Sequence, residues 1–181
     1  LAACGEDQPV EPTSSTTVSP LPGDSSTTSA SNSSSSSSSS TSDGVAPLPE
    51  AATKQTKEGA IAFNEFYQLQ MGEALKTANS ATLRSYAKDC AVCDGLADVV
   101  DDFKKRRVHA SKNPYSVSGS TARARDDGGY RVEMKVENSA YREVGADGAK
   151  GPNIDPISLT IVSDTQWHDG SWQIRDLVRV K

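Results

Sequence analysis

The sequence has no lysine or arginine before Lys54, and bulky apolar side chains are scarce from Gly5 to Pro49. A stretch with so little to bury cannot offset the entropy of ordering, which excludes a packed core there. Histidine occurs only at His109 and His168, with no spacing that matches the cysteines, which argues against the usual zinc ligand sets. No run approaches the ~20 apolar residues that a spanning helix needs. Any attachment to a membrane must therefore be through lipid.

What is present begins with Leu1-Ala2-Ala3-Cys4-Gly5. A leucine, small residues and a cysteine form a bacterial lipobox, in which Cys4 receives lipid, palmitate among its chains, and becomes the mature N-terminus. The charged and apolar parts of a signal peptide are expected before Leu1. A diacylglycerol anchors more firmly than a single acyl chain. Residues 1–4 are accordingly read as signal remnant and lipobox, 5–49 as a disordered Ser/Thr/Pro tether and 50–181 as one folded domain. The tether contains the unbroken serine run 33–40. As a flexible coil it would span roughly 35–40 Å, and nearer 150 Å when stretched.

Of the 24 acids, five lie in the tether (Glu6, Asp7, Glu11, Asp24, Asp43), so the remaining 19 equal the 19 bases. A charge-balanced domain argues against nucleic acid as a partner.

Beyond Pro49 the pattern changes. Ala60, Ile61, Phe63, Phe66, Tyr67, Leu69, Met71 and Leu75 recur with helical spacing, which predicts a long helix over about 56–77. Asn79 or Ser80 can cap a short second helix through Leu83 and Tyr86. A third helix starts near Asp89 or Cys90, with Leu96, Val99, Val100 and Phe103 as its apolar face. It ends in Lys104-Lys105-Arg106-Arg107, cations suited to the negative end of a helix. Strands follow at 115–118 and 121–125, with a turn at Asp126-Asp127-Gly128-Gly129 and an alternating strand from Tyr130 to Val136. Residues 144–155 read as a Gly/Asp/Pro-rich loop. Ile157, Leu159 and Ile161 alternate, and Trp172, Ile174, Asp176 and Val178 form the last strand. The fold class is α+β, with N-terminal helices packed on a curved four-stranded antiparallel sheet.

Helices first, then a sheet ending in Trp172-Gln173-Ile174-Arg175-Asp176-Leu177, resembles the nuclear-transport-factor-2-like (NTF2-like) or SnoaL-like cone. The segments Pro49-Glu50-Ala51-Ala52, Ala60-Ile61-Ala62-Phe63 to Phe66-Tyr67, and Asp89-Cys90-Ala91-Val92-Cys93 further resemble uncharacterised actinobacterial lipoproteins with a domain of unknown function. The resemblance implies a surface location and brings no catalytic residues. Cone folds of this kind often hold a pocket between the long helix and the sheet. Tyr67, Tyr86, Tyr130, Trp172 and Asp176 are the candidates for it by position. Asp176 alternates in register with Trp172 and Ile174, so a regular strand would point its carboxylate at the long helix.

With Cys4 lipidated, Cys90 and Cys93 remain as a pair. Outside the membrane a C-x-x-C pair is expected as a disulfide. A redox centre and a metal site are the alternatives. Flanking Asp89 and Asp94 disfavour a thiolate, and no further ligands have metal spacing. Asp147, Asn153 and Asp155 match no calcium loop. No cofactor is expected. The leading reading is a non-enzymatic lipoprotein on the extracytoplasmic face of the cell membrane, presenting its domain to an envelope protein, a glycan or a small molecule. Its rivals are a SnoaL-like enzyme acting on a small apolar substrate and a thiol–disulfide protein.

Overall fold

The structure is a computed structural model and describes residues 44–180. Cys4 and residues 5–43 of the expected tether lie outside the described residues. Residues 44–49, read as the end of that tether, are engaged with the domain. The Ala46 amide donates to Thr82 Oγ1 at 2.9 Å, and Tyr86 Oη donates to the Ala46 carbonyl at 3.0 Å.

After a 3₁₀ turn at Glu50–Thr53 come helices α1 (Lys57–Thr77), α2 (Ala81–Tyr86) and α3 (Ala91–Arg106). Thr56 caps α1 by accepting from the Gly59 amide at 3.0 Å. Ala78 ends it in the left-handed region with φ 50°, letting the Asn79 amide reach the Ala74 carbonyl at 3.2 Å. Ala60, Phe63, Tyr67, Met71 and Leu75 are buried along α1, as the periodicity predicts, while Leu69 of the same set is exposed. Among the described residues no helix is long and apolar enough to cross a membrane.

Two antiparallel sheets follow. The larger has the order β2 (Tyr115–Ala124), β3 (Tyr130–Asn138), β6 (Ile157–His168) and β7 (Ser171–Val180). This is the expected four-stranded meander under the helices. Val132, Met134 and Val136 from β3, Ile161 from β6, and Trp172 and Ile174 from β7 point into the core with Phe63 and Tyr67.

Three expectations are corrected. Residues 144–155 are not all loop, because β4 (Tyr141–Gly145) pairs with both β1 (Val108–Ala110) and β5 (Lys150–Ile154) in a second sheet of order β1-β4-β5. Gly151 and Pro152 disguised β5. Proline is tolerated on an edge strand, and a Cβ on Gly151 would stand 3.1 Å from Glu143 Cβ. Second, Asp176 does not face the helix. Asp164 pairs with Asp176 but Thr165 pairs with Ile174, so Arg175 is an extra residue in β7. That bulge turns Asp176 to solvent and buries Leu177 instead. Third, the buried face of α3 is Cys93, Ala97, Val100 and Phe103, while Val99 is 49% exposed.

On the outer face of the sheet, Asp164 accepts from Arg131 Nε at 2.7 Å and Nη2 at 2.8 Å, and also from Arg125. The hydrogen bond from Arg131, helped by Arg125, holds its carboxyl below the usual carboxylate range despite partial burial. A carboxyl depressed in the folded state contributes stability that is full above its unfolded pKa, ~3.9, and lost as pH falls through the folded value. Asp164→Asn should therefore cost about 1 kcal/mol near neutrality and flatten the stability–pH profile below pH ~4. Urea titrations of both proteins across that range check it, and parallel profiles would refute the assignment.

Candidate functional site

The helices and strands leave a cleft of about 210 Å³ lined by α1, α3 and residues of β2, β3 and β4. Its apolar wall is Met71 and Leu75 from α1 with Leu96, Val99, Val100 and Phe103 from α3. Leu96 and Val99 belong to the apolar face that the spacing gives α3. They form the wall of an opening, which explains why the apolar face of α3 is wider than its buried face.

The other side of the cleft is polar, built from Tyr115, Asn138, Tyr141 and Glu143. Each is placed by a specific contact. Tyr115 and Asn138 are cross-strand partners in the β2–β3 ladder. The start of β2 reaches α1 because Gly72 has no side chain, since a Cβ there would stand 1.8 Å from Asn113 Oδ1. Asn113 Nδ2 donates to the Leu69 carbonyl at 3.1 Å, and its Oδ1 accepts from the Tyr115 amide at 3.0 Å. Tyr141 and Glu143 alternate on one face of β4, and both are 9% exposed.

The electrostatics of this side are specific. Glu143 accepts from Arg106 Nη1 at 2.9 Å and Nη2 at 3.4 Å. Arg106 also donates to Asp102 at 2.7 Å and lies 5.0 Å from the Phe103 ring centre. The carboxylate facing the cleft is therefore neutralised at its edge. Burial pushes the Tyr115 phenol above its ordinary value, with Tyr141 adding to it, and burial followed by the Glu143 charge does the same for Tyr141. Both phenols stay protonated at neutral pH. The arrangement offers hydrogen bonds rather than an ionised base.

None of the five residues singled out in the sequence lines this cleft. Tyr67 is fully buried, with its hydroxyl 3.5 Å from the Leu83 carbonyl, and burial pushes its phenol up. Tyr86 packs edge-on against Phe63 and Phe66. Tyr130 and Trp172 meet edge-to-face at 5.8 Å, and Asp176 is exposed. The space between α1 and the sheet that these residues would have lined is occupied by core side chains. Tyr141-Arg142-Glu143-Val144 carried a readable signal, an alternation that puts Tyr and Glu on one side.

Cys90 and Cys93 are disulfide-bonded across the first turn of α3, where Cys90 Sγ also accepts from the Cys93 amide at 3.2 Å. Of the basic run, Arg106 is tied into the Glu143 pair. Lys104 and Arg107 border a shallow depression with Lys76 and His109. Asp147 closes the β4–β5 turn by accepting from the Ala149 amide at 2.9 Å. Among the described residues no group of His, Cys, Asp or Glu is arranged to hold a metal ion.

Against known structures, the chain overlaps the crystal structure of the intermembrane space region of the chloroplast protein ARC6 with a TM-score of 0.54. Identity is 12%, covering 70% of this chain and 98% of that one. The likeness is one of fold. Aln2 from a Streptomyces species and ActVI-ORFA from Streptomyces coelicolor overlap more loosely, both at TM-score 0.42. They are 10% and 13% identical and cover 66% of this chain and 89% of their own. No protein-family profile and no curated protein matches the sequence.

Proposed function

We propose that the domain is an NTF2-like binding module that takes a small, largely apolar molecule in the cleft between α1, α3 and β4. One observation supports this above the others: a pocket with six apolar side chains on one wall and convergent polar groups on the other, the usual composition of a ligand site. An engaged carboxylate and protonated phenols favour binding over acid–base catalysis.

Anisole, neutral and of one ring, is a suitable probe. Titrated into the isotope-labelled full chain, it should shift signals of Leu75, Val99 and Phe103 saturably. Val99→Trp, at a half-exposed wall position, should abolish those shifts while leaving the melting temperature nearly unchanged. Diffuse, unsaturating shifts in the parent protein would refute the reading.

The same proposal places the module outside a bacterial membrane, carried by lipid on Cys4. The support is the Leu1-Ala2-Ala3-Cys4-Gly5 sequence followed by the serine-rich tract. Expressed behind a lipoprotein signal sequence, the protein should partition into detergent and label with palmitate. Cys4→Ser should lose both properties, and retention of label by that variant would sink the assignment.

A further inference from the structure

We propose that the end of the domain where α1 and α3 finish rests on a membrane surface rich in anionic phospholipid, held there by Lys76, Lys104 and Arg107. This rests on the placing of the module at a membrane and specifies which of its faces meets the bilayer. Both helices run out on the same side. Lys76 and Ala78 from the end of α1 border one shallow depression of about 300 Å³ with Lys104, Arg107 and His109. A helix end favours cations near its own carbonyls, yet two such ends side by side gather charge of one sign, and that charge repels itself until something anionic meets it.

The acids nearest these cations are already engaged. Asp98 and Asp101 hold Arg84, Asp102 holds Arg106, and Asp147 of the adjoining depression accepts from the Ala149 amide. Lys104 and Arg107 are exposed, and neither side chain has an ion pair or a hydrogen bond among the described residues. Lys76 has one, to Glu73 at 3.0 Å on the open surface, where such a pair contributes little. Arg107 is fixed in place through its backbone, which is left-handed with φ 56° and whose carbonyl accepts from the Ala146 amide at 2.9 Å. The N-terminal segment joins the domain at the same end. Gly44, the first described residue, lies so close to the end of α1 that a Cβ on it would stand 2.9 Å from Asn79 Nδ2, one residue beyond Ala78. Lipid on Cys4 would therefore draw this end toward the bilayer first. Charge balance over the whole domain is no obstacle, because attraction to an anionic surface falls off within a Debye length, ~10 Å at 0.1 M salt, and acts on the charges nearest to it.

The test uses the full chain carrying Cys4→Ser, which cannot take lipid, sedimented at low salt with vesicles of phosphatidylglycerol or of phosphatidylcholine. Phosphatidylglycerol is expected to be preferred about thirtyfold, as two unpaired cations at an anionic surface should give, and added sodium chloride should erase the preference. Lys104→Gln should lower it about fivefold. Adding Arg107→Asn, a side chain that tolerates the left-handed backbone, should leave less than about threefold. With a nitroxide on the lipid headgroup, the amide signals of Lys104, Arg107 and His109 should be the first to broaden. Equal sedimentation with the two lipids would overturn the proposal and leave the anchor on Cys4 standing, because no lipid is attached in either arm. A preference that survives the double variant, or broadening that begins elsewhere, would put the contact on another face and overturn it as well. Should the double variant not fold, Lys104→Gln alone decides, since that side chain is exposed and makes no contact whose loss could unfold the domain.

Discussion

Trp172→Ala should destabilise the domain by about 3–5 kcal/mol, a large part of what a domain of this size has to lose. Trp172 has no exposed surface and is the largest fully buried side chain. It meets Trp167 edge-on at 5.0 Å and Tyr130 at 5.8 Å, so truncation opens a cavity flanked by rigid rings that cannot collapse into it. Its indole Nε1 donates to the Lys54 carbonyl at 3.0 Å. One side chain thereby ties β7 to the segment that leads into α1. Trp172→Phe, which keeps most of the packing and loses the donor, should cost less, about 1–2 kcal/mol. Urea unfolding followed by far-UV circular dichroism separates the two. A loss below about 1.5 kcal/mol for the alanine variant would show that the site collapses freely.

Trp172 also marks the limit of what spacing discloses. Alternation from Trp172 to Ile174 names the inward face of β7 correctly, because strand periodicity holds while the pairing is regular. It fails one residue later. The extra residue Arg175 reaches Asp89 Oδ2 at 3.0 Å, while the Ile174 carbonyl accepts from the Lys88 amide at 3.0 Å. The link between α2 and α3 therefore shapes the bulge, and no local pattern in β7 carries that information. Similarly, helical spacing finds α3 but not which of its apolar residues face the cleft. Leu96 and Val99 are apolar whether they face a core or an opening. The polar side of the cleft was least legible, since Tyr115, Asn138 and Tyr141 come from three strands and β5, whose Gly151 admits Glu143, reads as a loop. By contrast, the Cys90–Cys93 disulfide joins two cysteines three residues apart, and α1 needed only its period. Features set by local sequence were readable, and those set by the meeting of distant elements were not.

Gly59→Ala should destabilise the domain by about 2 kcal/mol, although alanine is the better helix former by about 1 kcal/mol. Gly59 lies in the first turn of α1, and a Cβ there would stand 1.9 Å from the Lys54 carbonyl oxygen and 2.9 Å from its carbon. The obstacle is backbone, so no rotamer change relieves it. That carbonyl accepts from both the Trp172 indole at 3.0 Å and the Thr56 amide at 2.9 Å. Displacing it disturbs the approach to α1 and the anchor of β7 together. Two measurements test the chain of cause. The Trp172 indole N–H proton signal should move in folded Gly59→Ala as its hydrogen bond to the Lys54 carbonyl is displaced. In a double-mutant cycle, Gly59→Ala should cost less in the Trp172→Phe background, by about 0.5–1 kcal/mol, because the shared hydrogen bond is already gone. Strict additivity would mean that the clash is absorbed within the 3₁₀ turn. A stabilised Gly59→Ala would mean that the close approach of Lys54 to α1 does not exist in solution.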